Sequence, residues 1–460
     1  MNDELKIKNN ELGGKMNYRY RNDEEMKESG IKWSGRIPNH WINNKLSREF
    51  KIIGSGTTPL SSNLKYYDGN INWLLTGDLN DGYIYETSRK ISKMALNDYS
   101  SLCVYPENSL VIAMYGATIG KTGLTKIKTT TNQACCVLSQ PISSNVKFIY
   151  YWFLANKNEI VNLGRGGGQP NISQDLIKSL KISRPLKMEQ DKIVKFLDEK
   201  VAEFDSIISK KEALIEKLEE AKKSLISEVV TGKVKVVKSS DDGYELVERK
   251  KEEMKDCGVE WLGLVPTEWK IYRSKYLWKK EKREVKEDYG VVTAFRDGEV
   301  TLRENRRTEG FTFAIKEIGY QGVLKGDLVI SAMDAFAGAM GISDSEGKCS
   351  PVYSVCSPVK ELEPQYYNYL LKEMSQKGYI LSLAKGIRER STDFRYSEFA
   401  NTFLLYPNIE EQKIIANYLF EKVIFINNFI ITINNQIEKL KEAKQSLISE
   451  AVTGKIEILD

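Results

Sequence analysis

One glycine-rich segment of this chain has residue types that could bind a phosphate group. Residues 116–122 read GATIGKT, with Lys121 and Thr122 at the end. An ATP-binding P-loop has the spacing GxxxxGKS or GxxxxGKT, which here would need a glycine at position 115. That residue is Tyr115, so the segment is one residue short. We interpret it as a tight glycine turn at the end of a strand, with Lys121 placed to contact a nucleic-acid phosphate.

Basic and polar loops could bind nucleic acid. They read KIKTTTNQ at 126–133, GRGGGQPNIS at 164–173 and KGIRERSTDFR at 385–395, and arginines also cluster at 303–307. Arginine can pair bidentately with guanine and Asn or Gln with adenine. A solvated charged loop is the alternative for any single cluster, but two such loops in each half favour binding. The candidate residues are Lys121, Lys126, Lys128, Asn132, Gln133, Arg165, Gln169, Asn171, Arg303, Arg306, Arg307, Lys385, Arg388, Arg390 and Arg395.

The sequence contains no arrangement of side chains typical of an enzyme active site. His40 is the single histidine, so no Ser–His or Cys–His pair is available to activate a nucleophile. No NPPY-like or DPPY-like methyltransferase tetrapeptide occurs, and no GxGxxG loop follows a strand. We therefore predict a recognition protein with no catalytic residue, cofactor or metal of its own.

Bulk composition fits a cytoplasmic protein. The net charge of +5 is mildly basic and does not by itself indicate nucleic-acid binding, and 41% hydrophobic content is enough for buried cores. No uninterrupted apolar run reaches the roughly eighteen residues that span a bilayer. An apolar signal segment is not seen at the N-terminus. Six cysteines without CxxC spacing indicate reduced core thiols, so we predict a cytoplasmic protein without membrane contact.

An internal repeat sets the organisation of the chain. Residues 216–233, EKLEEAKKSLISEVVTGK, return at 438–455 as EKLKEAKQSLISEAVTGK with three differences. A second repeated segment, the tryptophan motif, reads MKESGIKWSGRIPNHW at 26–41 and MKDCGVEWLGLVPTEW at 254–269. Self-similarity of this kind indicates two copies of one structural unit. Because the stretches between motif and helix hardly match, we predict one scaffold with two divergent specificities.

Two long helices are predicted at 187–233 and 409–460, where apolar residues recur every 3.5 residues on average. A stripe with that period needs a partner helix, and forty helical residues span about 60 Å. We predict that the two helices pair with each other; packing on their own domains or on another subunit is the alternative. The predicted seam comprises Leu197, Phe204, Ile208, Ile215, Leu218, Leu225, Leu419, Ile426, Ile430, Ile433, Ile437, Leu440 and Leu447.

The remaining segments divide around these helices. Polar residues 1–25 are predicted to be a disordered tail, and charged residues 234–253, with SSDDG in the middle, a linker. Residues 26–186 and 254–408 contain short β-branched and aromatic runs between Gly, Asn and Pro. Such runs predict strands and turns of mixed α/β domains. The predicted fold class is therefore α+β, with two mixed α/β domains and two long helices.

Several stretches together match a known family. They are GSGTTP at 54–59, NWLLTGDLND at 72–81, MYGATIGKTG at 114–123, TNQACC at 131–136, GGQPNIS at 167–173, the tryptophan motif, MEQDKIVKFLDEK, EEQKIIANYLFEK and both SLISExVTGK helix ends. With these stretches, the chain resembles the specificity subunit of type I restriction-modification enzymes over residues 17–460. The second half lacks GTTP, TGDL and TNQACC, so contacts in that half cannot be carried over from the first.

This resemblance implies two target-recognition domains separated by an antiparallel coiled coil with pseudo-twofold symmetry. Each domain would read one half of a split, asymmetric site in double-stranded DNA, and the helices would set the spacer. The implied partners are two modification subunits, which bind S-adenosylmethionine and methylate adenine, and restriction subunits that use ATP and Mg. The resemblance adds Thr57, Thr58 and Thr76 to the candidate DNA contacts. Alternatives are a coiled-coil adaptor without DNA binding and a fused restriction-methylation enzyme, for which the motifs are missing.

Overall fold

The computed structural model describes residues 17–31, 33–164, 171–239, 241, 243–306, 318–384 and 393–459. The chain forms two units. Unit 1 comprises the residues up to Lys211 together with Asn434–Asp460, and unit 2 comprises Glu212–Ile433. Both unit boundaries therefore fall inside the long helices, and the C-terminal end of the chain belongs to unit 1. Six predicted site residues lie outside the described residues, namely Arg165, Gln169, Arg307, Lys385, Arg388 and Arg390.

The helices are α1 (Lys93–Asp98), α2 (Val146–Ala155), α3 (Lys157–Asn162), α4 (Gln174–Ser179), α5 (Lys187–Val230), α6 (Pro364–Gln376), α7 (Tyr379–Leu383), α8 (Tyr396–Asn401) and α9 (Ile409–Val452). The strands up to α5 are β1 (Tyr18–Tyr20), β2 (Met26–Glu28), β3 (Arg36–Pro38), β4 (Ile42–Lys45), β5 (Phe50–Gly54), β6 (Ile71–Leu74), β7 (Gly82–Ile84), β8 (Arg89–Ile91), β9 (Leu110–Ala113), β10 (Thr122–Thr125), β11 (Thr130–Thr131), β12 (Cys135–Pro141) and β13 (Lys181–Arg184). The strands after α5 are β14 (Val234–Lys238), β15 (Tyr244–Glu248), β16 (Met254–Asp256), β17 (Leu264–Pro266), β18 (Lys270–Arg273), β19 (Trp278–Glu281), β20 (Val292–Ala294), β21 (Val300–Leu302), β22 (Gln321–Val323), β23 (Leu328–Ser331), β24 (Met340–Ile342), β25 (Gly347–Cys349), β26 (Tyr353–Pro358), β27 (Phe403–Tyr406) and β28 (Ile456–Ile458).

Each unit has the same central sheet. Its strand order is β5-β12-β9-β10 in unit 1, extended by β7, and β19-β26-β23-β24 in unit 2. The paired strands are antiparallel except for β10 and β7. The units differ outside this sheet, because unit 1 adds the sheet β11-β6-β8 and unit 2 adds the pairs β20-β21 and β22-β25. The repeated scaffold is therefore the central sheet, and the divergent stretches form the additional strands.

One helix covers the central sheet of each unit. Helix α2 is apolar on almost every side and buries six consecutive residues from Phe148 to Phe153, as expected for a helix enclosed in a core. Its Phe148 contacts Trp41 edge-to-face, with ring centroids 6.1 Å apart. The equivalent contact in unit 2 joins Tyr366 of α6 to Trp269 at 6.4 Å. The tryptophan motif is thus part of the core in both units.

Within each unit, the two long-helix segments run antiparallel. In unit 1 the Lys444 ammonium donates to Asp205 at 2.6 Å and Lys211 donates to Gln436 at 2.7 Å. The equivalent cross-helix bond in unit 2 runs from Lys222 to Asn427 at 3.0 Å. Every predicted seam residue is buried or half-buried. Apolar seam contacts and three lysines therefore set the register of the pair.

Both long helices end on a tryptophan motif. Gly232 and Gly454 have φ of +76° and +73°, the left-handed conformation that ends many helices. A Cβ atom at Gly232 would lie 2.5 Å from Pro266, and one at Gly454 would lie 2.5 Å from Pro38. Only glycine fits both the conformation and the space. The end of α5 thereby packs on the second motif, and the end of α9 on the first.

Part of the predicted disordered tail and the predicted linker both form regular secondary structure. Strand β1, inside the predicted tail, pairs with β28 in the register Tyr18↔Ile458. The prediction of a disordered tail is therefore wrong for residues 17–25. The predicted linker 234–253 contains the hairpin β14–β15, with Val236 opposite Leu246. It belongs to unit 2 and is the counterpart of the β1–β28 pair in unit 1.

Helix α9 contains a stretch that is apolar and long enough to cross a membrane, by length and composition only; its most apolar window has a mean hydropathy of 1.4. Its seam residues Ile430, Ile433 and Ile437 are nevertheless buried against the protein. Packing of that face accounts for part of its apolar character.

Candidate nucleic-acid interface

Two loops of unit 1 approach each other closely at their backbones. The Gly56 N–H donates to the Thr131 hydroxyl at 3.0 Å. A Cβ atom at position 56 would lie 1.7 Å from the Thr131 carbonyl oxygen, so only glycine is tolerated there. Next to this contact, the Thr58 hydroxyl donates to the Gln133 amide oxygen at 2.7 Å. The structure therefore brings two predicted residues from distant segments, Thr58 and Gln133, into direct contact.

Two further segments, around residues 114–116 and 171–174, lie next to these loops. The Ile172 N–H donates to the Met114 carbonyl at 2.8 Å, which sets exposed Asn171 beside the start of the glycine turn. The Gln174 amide donates to the Ile53 carbonyl at 3.0 Å and accepts from the Ser55 hydroxyl at 3.3 Å. We call the assembled residues 55–59, 114–116, 131–133 and 171–174 the polar loop surface.

Tyr115 belongs to this surface through the Gln133 side chain. Burial raises the pKa of the Tyr115 phenol, and a side-chain hydrogen bond with Gln133 opposes that rise. Thr57 lies at the base of the surface, where its carbonyl accepts from the Trp73 indole at 3.3 Å. Ser55, Tyr115 and Gln174 are members of the site that were not predicted from the sequence. Tyr115 and Ser55 lie in the quoted MYGATIG and GSGTTP stretches, which could have drawn attention to them.

Thr76 and Asn132 follow neighbouring parallel strands at the same end. Leu74 of β6 lies opposite Thr131 of β11, and the Asn132 N–H donates to the Leu74 carbonyl at 3.2 Å. The Asp78 carboxylate accepts from the Leu75 N–H at 2.8 Å and thereby fixes the turn that carries Thr76. Because both residues emerge from paired strand ends, Thr76 extends the polar loop surface next to Asn132.

The glycine turn is a β-hairpin connection. Gly116 and Gly120 have φ of +84° and +75°, and the Gly120 N–H donates back to the Ala113 carbonyl at 2.9 Å. The turn joins antiparallel β9 and β10, whereas a P-loop joins a strand to a helix. Lys121 is half-exposed on this turn. The structure thus agrees with a glycine turn rather than an ATP site.

Two predicted lysines lie elsewhere in unit 1. The Lys126 ammonium is 3.4 Å from the Asn108 amide oxygen and 4.7 Å from the centre of the Tyr83 ring. Lys128 is exposed, and its carbonyl accepts from the Asn72 amide at 3.0 Å. Lys126 is therefore outside the polar loop surface, in a separate basic site.

Unit 2 repeats one backbone contact of the polar loop surface. The Phe394 N–H donates to the Ala332 carbonyl at 2.9 Å, as Ile172 does to Met114 in unit 1. Exposed Arg395 follows Phe394 in the chain, but it forms an ion pair with Asp393 at 2.6 Å. That ion pair raises the Arg395 pKa. Its positive charge is thus partly neutralised by a neighbour.

The other described arginines of unit 2 also have protein partners. Arg306 forms ion pairs with Asp297 at 2.7 Å and Glu299 at 3.2 Å. The Arg303 guanidinium donates to the Thr293 hydroxyl at 3.3 Å. The structure does not bring Arg303 and Arg306 together with Arg395 through any described contact. The loop sequences do not reveal these carboxylate partners, so the predicted positive charge of the cluster was too high.

A partly buried carboxylate connects the tryptophan motif of each unit to the long helix. In unit 2, Glu411 at the start of α9 accepts from the Trp269 indole at 2.9 Å and pairs with Arg249. Burial raises the Glu411 pKa, against the opposing effects of Trp269 and Arg249. In unit 1, Glu189 accepts from Trp41 at 3.2 Å and from Arg21 at 2.9 Å. The tryptophan motif thereby orients the domain on the helix.

The polar loop surface has the chemical groups that nucleic-acid recognition uses. Among the described residues, no group of three or more His, Cys, Asp or Glu side chains could hold a metal ion. The polar loop surface instead presents hydroxyl and amide groups. Such groups hydrogen-bond to phosphates and to base edges.

The comparison with known families agrees with the sequence motifs. The family described as Type I restriction modification DNA specificity domain matches residues 38–219. The predicted resemblance is therefore confirmed, and the whole polar loop surface lies within the matched residues.

One similar protein is the putative type I restriction enzyme MjaX specificity subunit of Methanocaldococcus jannaschii. It is 27% identical over 220 residues, which cover 42% of this chain and 47% of that protein. The match thus spans about half the length of this curated relative. It supports the family assignment of the specificity domain.

Two solved structures share the fold. A chain from work on complex assembly and conformational transition of the type I R-M system has a TM-score of 0.66 and 13% identity, over 91% of this chain and 99% of that chain. The HsdS subunit from Thermoanaerobacter tengcongensis has a TM-score of 0.50 and 13% identity, over 91% and 98%. At this identity the likeness establishes the fold alone. The predicted class, two mixed α/β domains with two long helices, is confirmed.

Proposed function

We propose that this chain is the sequence-specific, non-catalytic DNA-recognition subunit of a type I restriction-modification complex. The observation that carries the proposal is the polar loop surface, which lies inside the specificity domain and presents Thr58, Gln133 and Asn171 together. Amide side chains can hydrogen-bond in pairs to adenine, and hydroxyl groups bond to bases or phosphates. A coiled-coil adaptor without DNA binding would have no need of this surface.

Each unit would read one half of a split, asymmetric site in double-stranded DNA. The units share a central sheet but differ in their added strands, which supports different half-site sequences. The antiparallel helices would set the spacer and dock two modification subunits. Those partners would supply S-adenosylmethionine, and restriction subunits would supply ATP and Mg-dependent activity. The complex would act in the cytoplasm, and residues 26–186 and 254–408 would be the recognition domains.

Replacing Gln133 tests the proposed DNA interface. We expect Gln133→Ala to weaken binding of the target duplex by about 1–3 kcal/mol and to relax sequence choice in one half-site. Fluorescence anisotropy with the complete complex, titrated with target and scrambled duplexes, measures both effects. The matched control is Gln376→Ala, an exposed glutamine at the end of α6 in unit 2, which should bind like the wild type. If Gln133→Ala bound the target duplex and the scrambled duplex with the same affinities as Gln376→Ala, the proposed interface would be contradicted.

A methylation assay tests the fused-enzyme alternative. The isolated chain with S-adenosylmethionine should transfer no methyl group, whereas adding the modification subunit should produce methyladenine. Methyl transfer by the isolated chain would contradict a non-catalytic role.

A further inference from the structure

Unit 1 contains a basic cavity outside the polar loop surface. It has a volume of about 310 Å³, and Lys126, Lys147 and Lys187 contribute to its wall beside Tyr83 and Asn108. Among the described residues that line it, none carries a carboxylate. The lysines come from the segment after β10, the first turn of α2 and the first residue of α5. Three separate elements thus direct positive charge into one cavity, which we call the lysine pocket.

Two of the three lysines share one aromatic ring. The ammonium groups of Lys126 and Lys147 lie 4.7 and 5.3 Å from the centre of the Tyr83 ring. Cation–π attraction stabilises each of them there. They are nevertheless close enough to repel each other, since the Debye length is about 10 Å at 0.1 M salt. A bound anion would relieve this repulsion.

The protein fixes one lysine and leaves charge available at the others. Lys147 forms an ion pair with Asp198, which also accepts from the Tyr151 hydroxyl at 2.8 Å. Burial lowers the Lys147 pKa, but hydrogen bonds with Asp198 and Tyr83 outweigh it, so the pKa is raised and the group stays charged. Lys126 has a neutral amide oxygen of Asn108 as its partner. A second carboxylate, Asp191, accepts from the Asn145 amide in the pocket wall at 2.7 Å. Two carboxylates therefore lie beside three ammonium groups, and positive charge remains in excess.

The repeat shows that the scaffold does not require these lysines. In unit 1 the Asn145 N–H donates to Gln190 at 2.7 Å, and in unit 2 the Glu363 N–H donates to Gln412 at 2.9 Å. This equivalence places Gln365 and Ile409 where unit 1 has Lys147 and Lys187. Pairing of Gly123 with Val111, and of Gly341 with Val329, likewise aligns Lys126 with Asp344. The basic character is specific to unit 1.

We propose that the lysine pocket binds a phosphate group, either a phosphodiester of the DNA backbone or the phosphate of a free nucleotide. Lysine ammonium groups are compact point charges that bind phosphate without demanding a planar geometry. The DNA source rests on the proposed function, whereas the nucleotide source does not. In the DNA case the pocket would anchor unit 1 to the backbone without reading sequence.

The double variant Lys126→Gln/Lys187→Gln tests the proposal. Both side chains are exposed, so folding should be retained. The control is Lys45→Gln/Lys181→Gln, an exposed pair that lies opposite each other on β4 and β13 of the same unit. Isothermal titration of the complete chain with inorganic phosphate and with ATP, against sodium chloride of equal ionic strength, measures free-phosphate binding. Log-log salt slopes of duplex binding by the complete complex measure DNA contacts.

Three outcomes decide between the sources and the alternative. A duplex salt slope lowered by about one unit per lost contact, in the pocket variant alone, assigns the phosphate to DNA. A duplex slope equal to wild type, with phosphate or ATP binding weakened at least tenfold, assigns it to a free nucleotide. Unchanged slope and unchanged titrations in the pocket variant would overturn the proposal. That failure is distinct from failure of the proposed function, in which the wild-type complex would not prefer any duplex.

Discussion

At the residue scale, the Glu49 carboxylate joins three segments of unit 1. It is fully buried, and it accepts from Arg184 at 2.8 Å, Ser144 at 2.5 Å and Ser143 at 2.8 Å. Burial alone would raise the Glu49 pKa, but hydrogen bonds from Ser144, Arg184 and Ser143 outweigh it and lower the pKa. The ionised form is therefore stabilised by folding.

Glu49→Gln should lower the free energy of unfolding by about 3–5 kcal/mol at pH 7, because it leaves the buried Arg184 charge unpaired. A lowered folded-state pKa stabilises the fold above the unfolded pKa, about 4.3 for glutamate. That stabilisation is lost as pH falls through the folded pKa, so the difference between wild type and variant should shrink in acid. Urea denaturation at pH 7 and below pH 4 measures this, with exposed Glu203→Gln as the control. A difference that stays constant with pH would contradict the assignment.

Residue types alone could identify part of the candidate site. Thr58 and Gln133 were predicted from loop composition and the family stretches, and they are in contact. Gln174 was missed because its role depends on the packing of its segment against Ile53, which no local pattern reveals. The positive charge of Arg306 was overestimated because its partner Asp297 lies in a different loop, which the local sequence does not reveal either.

At the element scale, the 3.5-residue period predicted both long helices and their apolar seam. The register of the pair was not predictable, because it depends on cross-helix bonds such as Lys222 with Asn427. The hairpin β14–β15 was interpreted as a linker, although VKVVK and YELVE around SSDDG alternate as hairpin strands do. Strand β1 could not be found from local sequence, since its partner β28 lies at the other end of the chain.

Two isoleucines on α9 separate seam packing from helix propensity. Ile433 is 3% exposed in the seam, whereas Ile431 is 57% exposed on another face. Ile433→Ala should reduce the free energy of unfolding by about 2–5 kcal/mol through lost burial and a new cavity. Ile431→Ala should change it by about 0.5 kcal/mol or less. Chemical denaturation compares the two variants, and equal losses would show that the predicted seam does not face the partner helix.

At the scale of the whole molecule, two copies of one scaffold use their chain segments differently. In unit 2, one two-stranded sheet is the hairpin of the consecutive strands β14 and β15. In unit 1, the equivalent sheet pairs β1 with β28, which are far apart in the chain. Ile456 of β28 is 1% exposed, and Leu459, just after the strand, is 44% exposed. Strand β28 is therefore part of the unit 1 core.

Ile456→Ala should destabilise unit 1 by about 2–5 kcal/mol, the usual cost of deleting a buried isoleucine side chain. Hydrogen exchange should speed up in strands β1 and β28 and in the core of unit 1, with unit 2 unchanged. Leu459→Ala is the matched control and should exchange like the wild type. Exchange that speeds up equally in both units would contradict the division of the chain into these units.

The central claim is that each unit reads one half of a split DNA site. Its most direct test is to exchange residues 42–180 for the equivalent segment of a relative with a different target. Methylated adenines are then mapped by single-molecule sequencing in a strain that contains the modification subunit. We predict that one half-site changes, while the other half-site and the spacer between them stay the same. A change in both half-sites, or methylation at the original sequence, would contradict the claim.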